Sequence, residues 1–224
     1  MSESFLDFSL RPQPRRRLFL LIAILLCVAG GWGVYVWKKH EAAYSHLGPT
    51  PSSGGKFFKK RIEIAVPLFM QGDDLWSEDK LGPTDGTLGA EGCAVCSAAM
   101  VLKSYGFDTD PKRLNEYLTA NEGYTPEGWI FWEKAAEIGG GKVRHAYEDP
   151  PSFKLIDENL LRGNPVIIRV RMPGGTTHFV VIAGKEGYDY LIRDPGGRGA
   201  GGLYPLKELV PQIEALRFYE KTGG

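Results

Sequence analysis

The chain has 224 residues, of which 43% are hydrophobic, and its 27 basic side chains balance 27 acidic ones. This composition excludes a disordered protein, and three cysteines are too few for a disulfide framework. The neutral balance gives no reason to expect a nucleic-acid partner. One globular domain, typically about 100 to 200 residues, accounts for most of this length.

The first distinctive segment is an apolar run at residues 18–37 that contains no charged side chain. A helix of about 20 apolar residues spans the hydrocarbon core of a bilayer, so the run predicts a transmembrane signal-anchor helix. A cleaved signal peptide is the alternative. Arg15, Arg16 and Arg17 precede the run and favour a basic cytoplasmic N-terminus at residues 1–17, with the following domain on the opposite side.

A segment poor in apolar residues follows the run. Residues 48–55 read GPTPSSGG, a composition that packs poorly and favours a flexible linker. Residues 38–60 are therefore predicted to form a tether. Residues 61–220 are predicted to form the folded domain, which begins with a strand at 61–66.

The domain is predicted to contain four helices followed by four further strands. A long loop is expected at 71–92, which holds five glycines. The helices are expected at 94–105, 111–120, 129–138 and 153–162, and the strands at 166–171, 177–183, 188–193 and 213–219. Helices first and an antiparallel sheet afterwards define an α+β fold class.

Cys93 stands at the start of the first predicted helix, directly after Gly92. The first N–H groups of a helix lack intrahelical partners and carry about half a positive charge, which favours a thiolate at that place. Cys93 is therefore the candidate nucleophile. Cys96 lies one helical turn further on and is predicted to pack in the core.

His178 and Asp194 lie at the two ends of a predicted β-hairpin. Its strands, 177–183 and 188–193, flank the turn Gly184-Lys185-Glu186-Gly187. With the turn centred on its third residue, His178 and Asp194 are cross-strand neighbours on one face. The histidine is expected to act as general base and acid, and the aspartate to orient the imidazole.

An acyl-transfer site also needs hydrogen-bond donors for the developing oxyanion. The Cys93 backbone N–H is one candidate. Gln71, at the start of the long loop, is the best side-chain candidate for the other.

Several motifs occur in a fixed order along residues 66–205. They are GCA at 92–94, AAM at 98–100, GNPVI at 163–167, HFVV at 178–181, RDP at 193–195, and the Gln-x-x-x-x-Trp pattern of 71–76. Together they resemble the papain-like cysteine peptidases of family C39, which include proteases that remove double-glycine leaders from exported peptides.

The resemblance implies a papain-like fold in which Cys93, His178 and Asp194 are the catalytic triad and Gln71 is the oxyanion residue. The chain departs from the family in one spacing. In the transporter-fused members the glutamine lies a few residues before the cysteine, whereas 22 positions separate the two here.

The sequence and this resemblance predict a single-pass protein of a bacterial inner membrane, with a peptidase domain on the non-cytoplasmic side. Its expected partners are the membrane and a peptide or protein substrate cleaved through a Cys93 thioester, and no metal or cofactor is expected. Two alternatives remain open. One is a catalytically inactive, membrane-tethered peptide-binding module, and the other is a thiol-disulfide oxidoreductase that uses Cys93 and Cys96.

Overall fold

The computed structural model describes residues 48–198 and 201–223. The predicted signal-anchor helix, the basic N-terminus and the first part of the predicted tether lie outside these residues. Among the residues described, no helix is both long enough and apolar enough to cross a membrane. The described residues combine helices with antiparallel strands, as the α+β prediction requires.

A six-stranded antiparallel sheet is the centre of the fold. The strands are β1 (Thr50–Pro51), β2 (Ser53–Glu63), β3 (Val143–Asp149), β4 (Val166–Arg171), β5 (Thr177–Arg193), β6 (Tyr204–Pro205), β7 (Gln212–Ile213) and β8 (Ala215–Lys221). The helices are α1 (Leu88–Glu91), α2 (Cys93–Ser104), α3 (Pro111–Ala120), α4 (Trp132–Glu137) and α5 (Phe153–Leu161). The sheet order is β2-β5-β4-β8-β3 with β6 beside β5, while β1 and β7 pair separately.

Strand β4 separates two hydrophobic clusters. Successive side chains of a strand face opposite sides. Ile167 joins a cluster with residues of α2, whereas Val166 and Ile168 join a second cluster with residues of α5. Each fully buried aliphatic side chain contributes about 1.5–3 kcal/mol to the free energy of folding. Because helices cover both faces of the sheet, β4 begins with three consecutive apolar residues, 166–168, rather than with an alternating pattern.

Two helices begin at the cap residues that predict them. Asp110 accepts a hydrogen bond from the backbone N–H of Arg113 at 2.8 Å, and Pro111 occupies the first position of α3. Ser152 caps α5 by accepting from the N–H of Leu155. Both predicted helix starts are confirmed.

The third helix is shorter than the sequence predicts. A helix is expected over 129–138, but α4 covers only Trp132–Glu137. Ile130 instead pairs with Tyr124 in an antiparallel bridge, and Phe131 caps the helix with an extended backbone, φ −82° and ψ 111°. Trp129 is 72% exposed, so the aromatic residues before α4 belong to a surface loop.

Residues 50–51 and 53–60 lie in strands, and the predicted tether is wrong there. Strands β1 and β2 begin before the predicted domain boundary at residue 61. Gly54 and Gly55 have φ values of +151° and +72°, and a Cβ at Gly54 would lie 2.5 Å from the Phe153 ring. These glycines therefore permit close packing against α5. From composition alone, the same glycines indicate a flexible linker.

Strand β3 is absent from the sequence prediction. It pairs with β8 at the edge of the sheet, and a register shift between His145 and Tyr147 interrupts the pairing. Such an irregularity breaks the alternation by which a half-buried strand is recognised. The predicted strand at 213–219 is divided between β7 and β8.

In the structure a single strand, β5, covers the two strands and the turn of the predicted β-hairpin. Its middle, residues 184–189, pairs with β2 and is therefore part of the sheet. A straight strand of this length would span about 55 Å, yet the side chains of His178 and Asp194 meet at 2.7 Å. The segment must fold back on itself, and Gly187, with φ of +58°, lies where it does so.

Candidate active site

Helix α2 begins at the wall of a cleft and runs through the core. Residues 95–102 are buried, which fixes the helix in place. Cys93, its first residue, is partly exposed and lines the cleft. Gly92 has no room for a side chain, because a Cβ there would lie 2.4 Å from the carbonyl oxygen of Leu88. The prediction that Cys93 begins a helix is confirmed.

His178 interacts with both Asp194 and Cys93. Its Nε2 lies 2.7 Å from Asp194 Oδ1, and the ring is close enough to Cys93 for the sulfur to affect its pKa. Burial lowers the pKa of His178, but the interactions with Asp194 and Cys93 outweigh burial and raise the pKa to about 9. His178 therefore carries a proton at neutral pH.

Asp194 is almost completely buried and accepts three hydrogen bonds. The bond from His178 is joined by one from Gly196 N at 2.8 Å and one from the Tyr204 hydroxyl at 2.7 Å. Burial raises the pKa of this carboxyl, but the three donors outweigh burial and keep it below its usual value. Asp194 is thus held as a carboxylate whose orientation fixes the imidazole of His178.

Tyr204 is a site residue that the sequence analysis misses. It lies on β6, which pairs with β5 through only two residues. A strand this short shows no alternating pattern, so no signal marks it. Burial and the neighbouring Asp194 raise the pKa of Tyr204, so the hydroxyl keeps its proton and donates a hydrogen bond to the carboxylate.

Gln71 lines the same cleft as Cys93. Its backbone N–H donates to the carbonyl oxygen of Pro195 at 2.9 Å, and its Nε2 donates to the carbonyl oxygen of Gly89 at 2.8 Å. Because Nε2 carries two hydrogens, one remains for another acceptor. Its Oε1 is buried and finds no partner within the part of the chain that the structure describes.

The segment between Gln71 and Cys93 folds back on itself. Trp76 is buried and its Nε1 donates to the carbonyl oxygen of Met70 at 2.9 Å. The N–H of Gly89 donates to the carbonyl oxygen of Ser77 at 2.8 Å. These contacts return the chain to its starting point, so a glutamine 22 positions upstream reaches the cleft.

Cys96 is fully buried in α2, and burial strongly raises the pKa of its thiol. Cys93 and Cys96 are both free thiols. The buried position agrees with the predicted packing role.

The cleft has a volume of about 770 Å³. It is lined by Gln71, Cys93, His178 and Asp194, by the aromatic side chains of Trp129, Phe131, Trp132 and Phe179, and by several charged residues. Across residues 48–198 and 201–223, no three His, Cys, Asp or Glu side chains are grouped to hold a metal ion.

A cysteine, a histidine and an aspartate in one cleft are the side chains that cysteine hydrolases use. The model of the peptidase C39 family matches residues 89–205, just over half of the chain. The protein therefore belongs to the peptidase C39 family. The matched segment contains Cys93, His178 and Asp194, whereas Gln71 lies before it.

Among solved structures, the chain is similar to a Bacillus anthracis protein presented as a candidate C39-like peptidase. The two share 18% sequence identity with a TM-score of 0.48, over 73% of this chain and 100% of the other. No curated protein matches the sequence. Family membership indicates a cysteine peptidase.

Proposed function

We propose that the protein hydrolyses a peptide bond through a thioester on Cys93. The observation that carries this proposal is the position of His178, which bonds Asp194 through Nε2 and interacts with Cys93 in the same cleft. Its pKa of about 9 keeps the imidazole protonated beside the sulfur at neutral pH. An imidazolium beside a thiol at a helix N-terminus is the setting that activates a cysteine nucleophile.

Each step has a residue in place. The Cys93 thiolate attacks the substrate carbonyl carbon, and the oxyanion receives hydrogen bonds from the Cys93 N–H and the free hydrogen of Gln71 Nε2. His178 gives its proton to the leaving amine as the C–N bond breaks. Neutral His178 then takes a proton from water, which attacks the thioester, releases the acid and restores Cys93.

The test compares two cysteine variants of the full chain, Cys93→Ala and Cys96→Ala. Each is incubated with a mixed peptide library, and products are identified by mass spectrometry. We expect new termini with wild type and Cys96→Ala and none with Cys93→Ala. Cleavage that survives Cys93→Ala would contradict the proposal. Retention of library peptides without cleavage by wild type would favour a binding module instead.

Gln71 receives a separate test because its assignment is independent of the triad. We expect Gln71→Ala to slow acylation by about 10²- to 10³-fold, the usual cost of removing one oxyanion donor. The control is Gln212→Ala, which changes an exposed glutamine of β7. Equal rates for the two variants would remove Gln71 from the mechanism.

We also propose that residues 18–37 anchor the chain in a membrane with the domain on the non-cytoplasmic side. The support is the uncharged run itself and the Arg15 to Arg17 cluster before it. We expect the full chain to stay in membranes washed with alkaline carbonate. A C-terminal reporter should be active only outside the cytoplasm. Release by carbonate, or a reporter active in the cytoplasm, would overturn this proposal.

A further inference from the structure

Two arginines line the cleft beside His178. Arg169 of β4 is the cross-strand partner of Phe179, the residue that follows the histidine. Arg217 of β8 pairs with Ile167, which lies on the same face of β4 as Arg169 because side chains alternate. Arg169 and Arg217 are therefore diagonal neighbours on one face of the sheet.

Arg217 is held rigidly and has one donor without an acceptor. Its side chain is 8% exposed, and its guanidinium carbon lies 5.0 Å from the Trp132 ring centre and 5.2 Å from that of Phe179. Nε donates to Glu148 at 3.0 Å and Nη2 at 2.5 Å. Nη1 finds no partner among the described residues. A buried donor of this kind favours the arrival of an acceptor.

Arg169 is more open to the cleft, with 38% of its side chain exposed. Its Nε lies 3.4 Å from Glu214 Oε2 but makes no hydrogen bond within the described part of the chain. Glu214 instead accepts two hydrogen bonds from Arg171, at 2.6 and 3.1 Å. Glu214 is thus committed to Arg171, and the Arg169 guanidinium has donors to spare.

The carboxylates near the two arginines leave donors unused. Arg217 pairs with Glu148, and Arg169 lies beside Glu214, which Arg171 also binds. The other glutamates of the cleft lining are exposed to solvent, so water and salt screen their charges; they are Glu91, Glu127 and Glu133. A further carboxylate can therefore be accommodated beside Arg169.

We propose that Arg169 and Arg217 form a subsite for a substrate carboxylate. The inference rests on the proposed peptidase function and names its substrate class, which is peptides with a carboxylate close to the cleaved bond. Arg169 contacts the carboxylate from the open side, and the buried Arg217 supports it from beneath with its positive charge. Both arginines line the same cleft as Cys93 and His178, so the carboxylate belongs to a residue close to the cleaved bond.

The experiment measures how fast electrophilic peptides alkylate Cys93 in the full chain, which requires no turnover. The first probes are peptidyl acyloxymethyl ketones, made in pairs that differ only by Glu or its isostere Gln. The variable residue is placed in turn at the first, second or third position before the reactive ketone. A second pair, N-chloroacetyl tripeptides that end in a free carboxylate or an amide, asks whether the carboxylate is the C-terminal one. For at least one of these pairs of probes, we expect the acidic member to react with Cys93 about 10- to 100-fold faster than its neutral counterpart.

Matched variants assign that preference to the subsite. Arg169→Gln should bring the ratio of the two rates close to one. Arg162→Gln should leave it unchanged, because Arg162 is an exposed arginine that follows α5 and lies outside the lining of the cleft. Arg217→Met tests the buried partner and should also lower the ratio. Its folding is checked by thermal denaturation.

Iodoacetamide, which needs no subsite, separates the two proposals. If Cys93 reacts with iodoacetamide at a rate that does not depend on His178, the peptidase mechanism fails. If that rate does depend on His178 but every acidic and neutral pair reacts equally, only the carboxylate subsite fails. A preference that survives Arg169→Gln also overturns the subsite.

Discussion

Two residues of β5, His178 and Lys185, each form a buried ion pair with an aspartate. His178 and Asp194 meet at 2.7 Å with side chains 12% and 3% exposed, and Lys185 and Asp157 meet at 2.6 Å with side chains 0% and 3% exposed. The first pair lines the cleft, whereas the second lies between β2, β5 and α5. The two pairs are buried to a similar degree and have similar N–O distances. Neither burial nor distance therefore distinguishes the pair that lies beside Cys93.

The difference lies in how the cation is surrounded. Lys185 Nζ donates to the Gly54 carbonyl oxygen at 2.7 Å and to Asp157, and it lies 4.2 Å from the centre of the Tyr190 ring. Burial lowers the pKa of Lys185 although Asp157 opposes the shift. The pKa of His178 is raised, because its two partners outweigh burial. A buried charge with enclosed partners stabilises structure, whereas one with a partner at an open cleft can perform chemistry.

The largest expected effect comes from breaking the cleft pair. His178→Ala should lower kcat/KM for peptide hydrolysis by about 10³-fold or more, because the proton donor to the leaving amine is lost. The free energy of unfolding in urea should fall by only about 1–2 kcal/mol, because Asp194 borders the cleft and keeps its hydrogen bonds from Gly196 and Tyr204. His145→Ala is the control, since this histidine lies outside the cleft lining. A similar loss of activity in both variants would contradict the assignment.

Breaking the enclosed pair should reverse that pattern. Asp157→Ala leaves Lys185 buried without its carboxylate and should lower the free energy of unfolding by about 3–5 kcal/mol. The kcat/KM of the folded protein should not change. Glu158→Ala, on the same helix, removes only surface pairs and should cost about 0.5 kcal/mol or less.

A double variant tests whether charge or packing matters at the enclosed pair. Lys185→Met with Asp157→Leu should recover most of the stability that Asp157→Ala loses, because neither charge then remains buried alone. If the double variant is as unstable as Asp157→Ala, the comparison between the two pairs loses its basis.

The pH profile sharpens the comparison further. His178 has a raised pKa, so it stays protonated as the pH rises and loses its proton near pH 9, where the kcat/KM of wild type should fall. Asp194→Asn removes the carboxylate that favours the charged ring, so this basic limb should move down by about one pH unit or more. An unchanged limb would mean that another group titrates there.

The smallest expected effect concerns the support of Asp194. Tyr204→Phe removes one of three hydrogen bonds to the carboxylate, worth about 1 kcal/mol, and kcat/KM should fall about fivefold. Tyr188→Phe is the control, because that side chain is 52% exposed at the middle of β5. If Tyr204→Phe behaves like Tyr188→Phe, the hydroxyl has no role in positioning.

The cleft pair could be foreseen from sequence because local rules determine its parts. Gly92 and Cys93 mark a helix start, and His178 lies sixteen residues before Asp194 in a segment that folds back on itself. The predicted contact between the two side chains is confirmed, although residues 184–187 also pair with β2 instead of forming a turn alone. Cap residues likewise predict the starts of α3 and α5.

The enclosed pair could not be foreseen because its parts are distant in sequence. Lys185 occurs in a stretch that reads as a turn, and its partners Gly54 and Asp157 lie 131 and 28 positions away. Gly54 belongs to a stretch that reads as a linker, and only the close approach of Phe153 reveals why a glycine is there. Tyr204 is similar, because its role depends on β6 pairing with β5.

The place of β2 in the sheet has a practical consequence for protein production. A recombinant fragment cut at Arg61, the boundary that composition suggests, would lack most of β2 and the carbonyl oxygen that binds Lys185. The backbone of β5 would then present unpaired N–H and C=O groups, which recruit further chains into aggregates. A fragment that starts at Gly48 keeps this edge paired and is the one expected to purify as a soluble species.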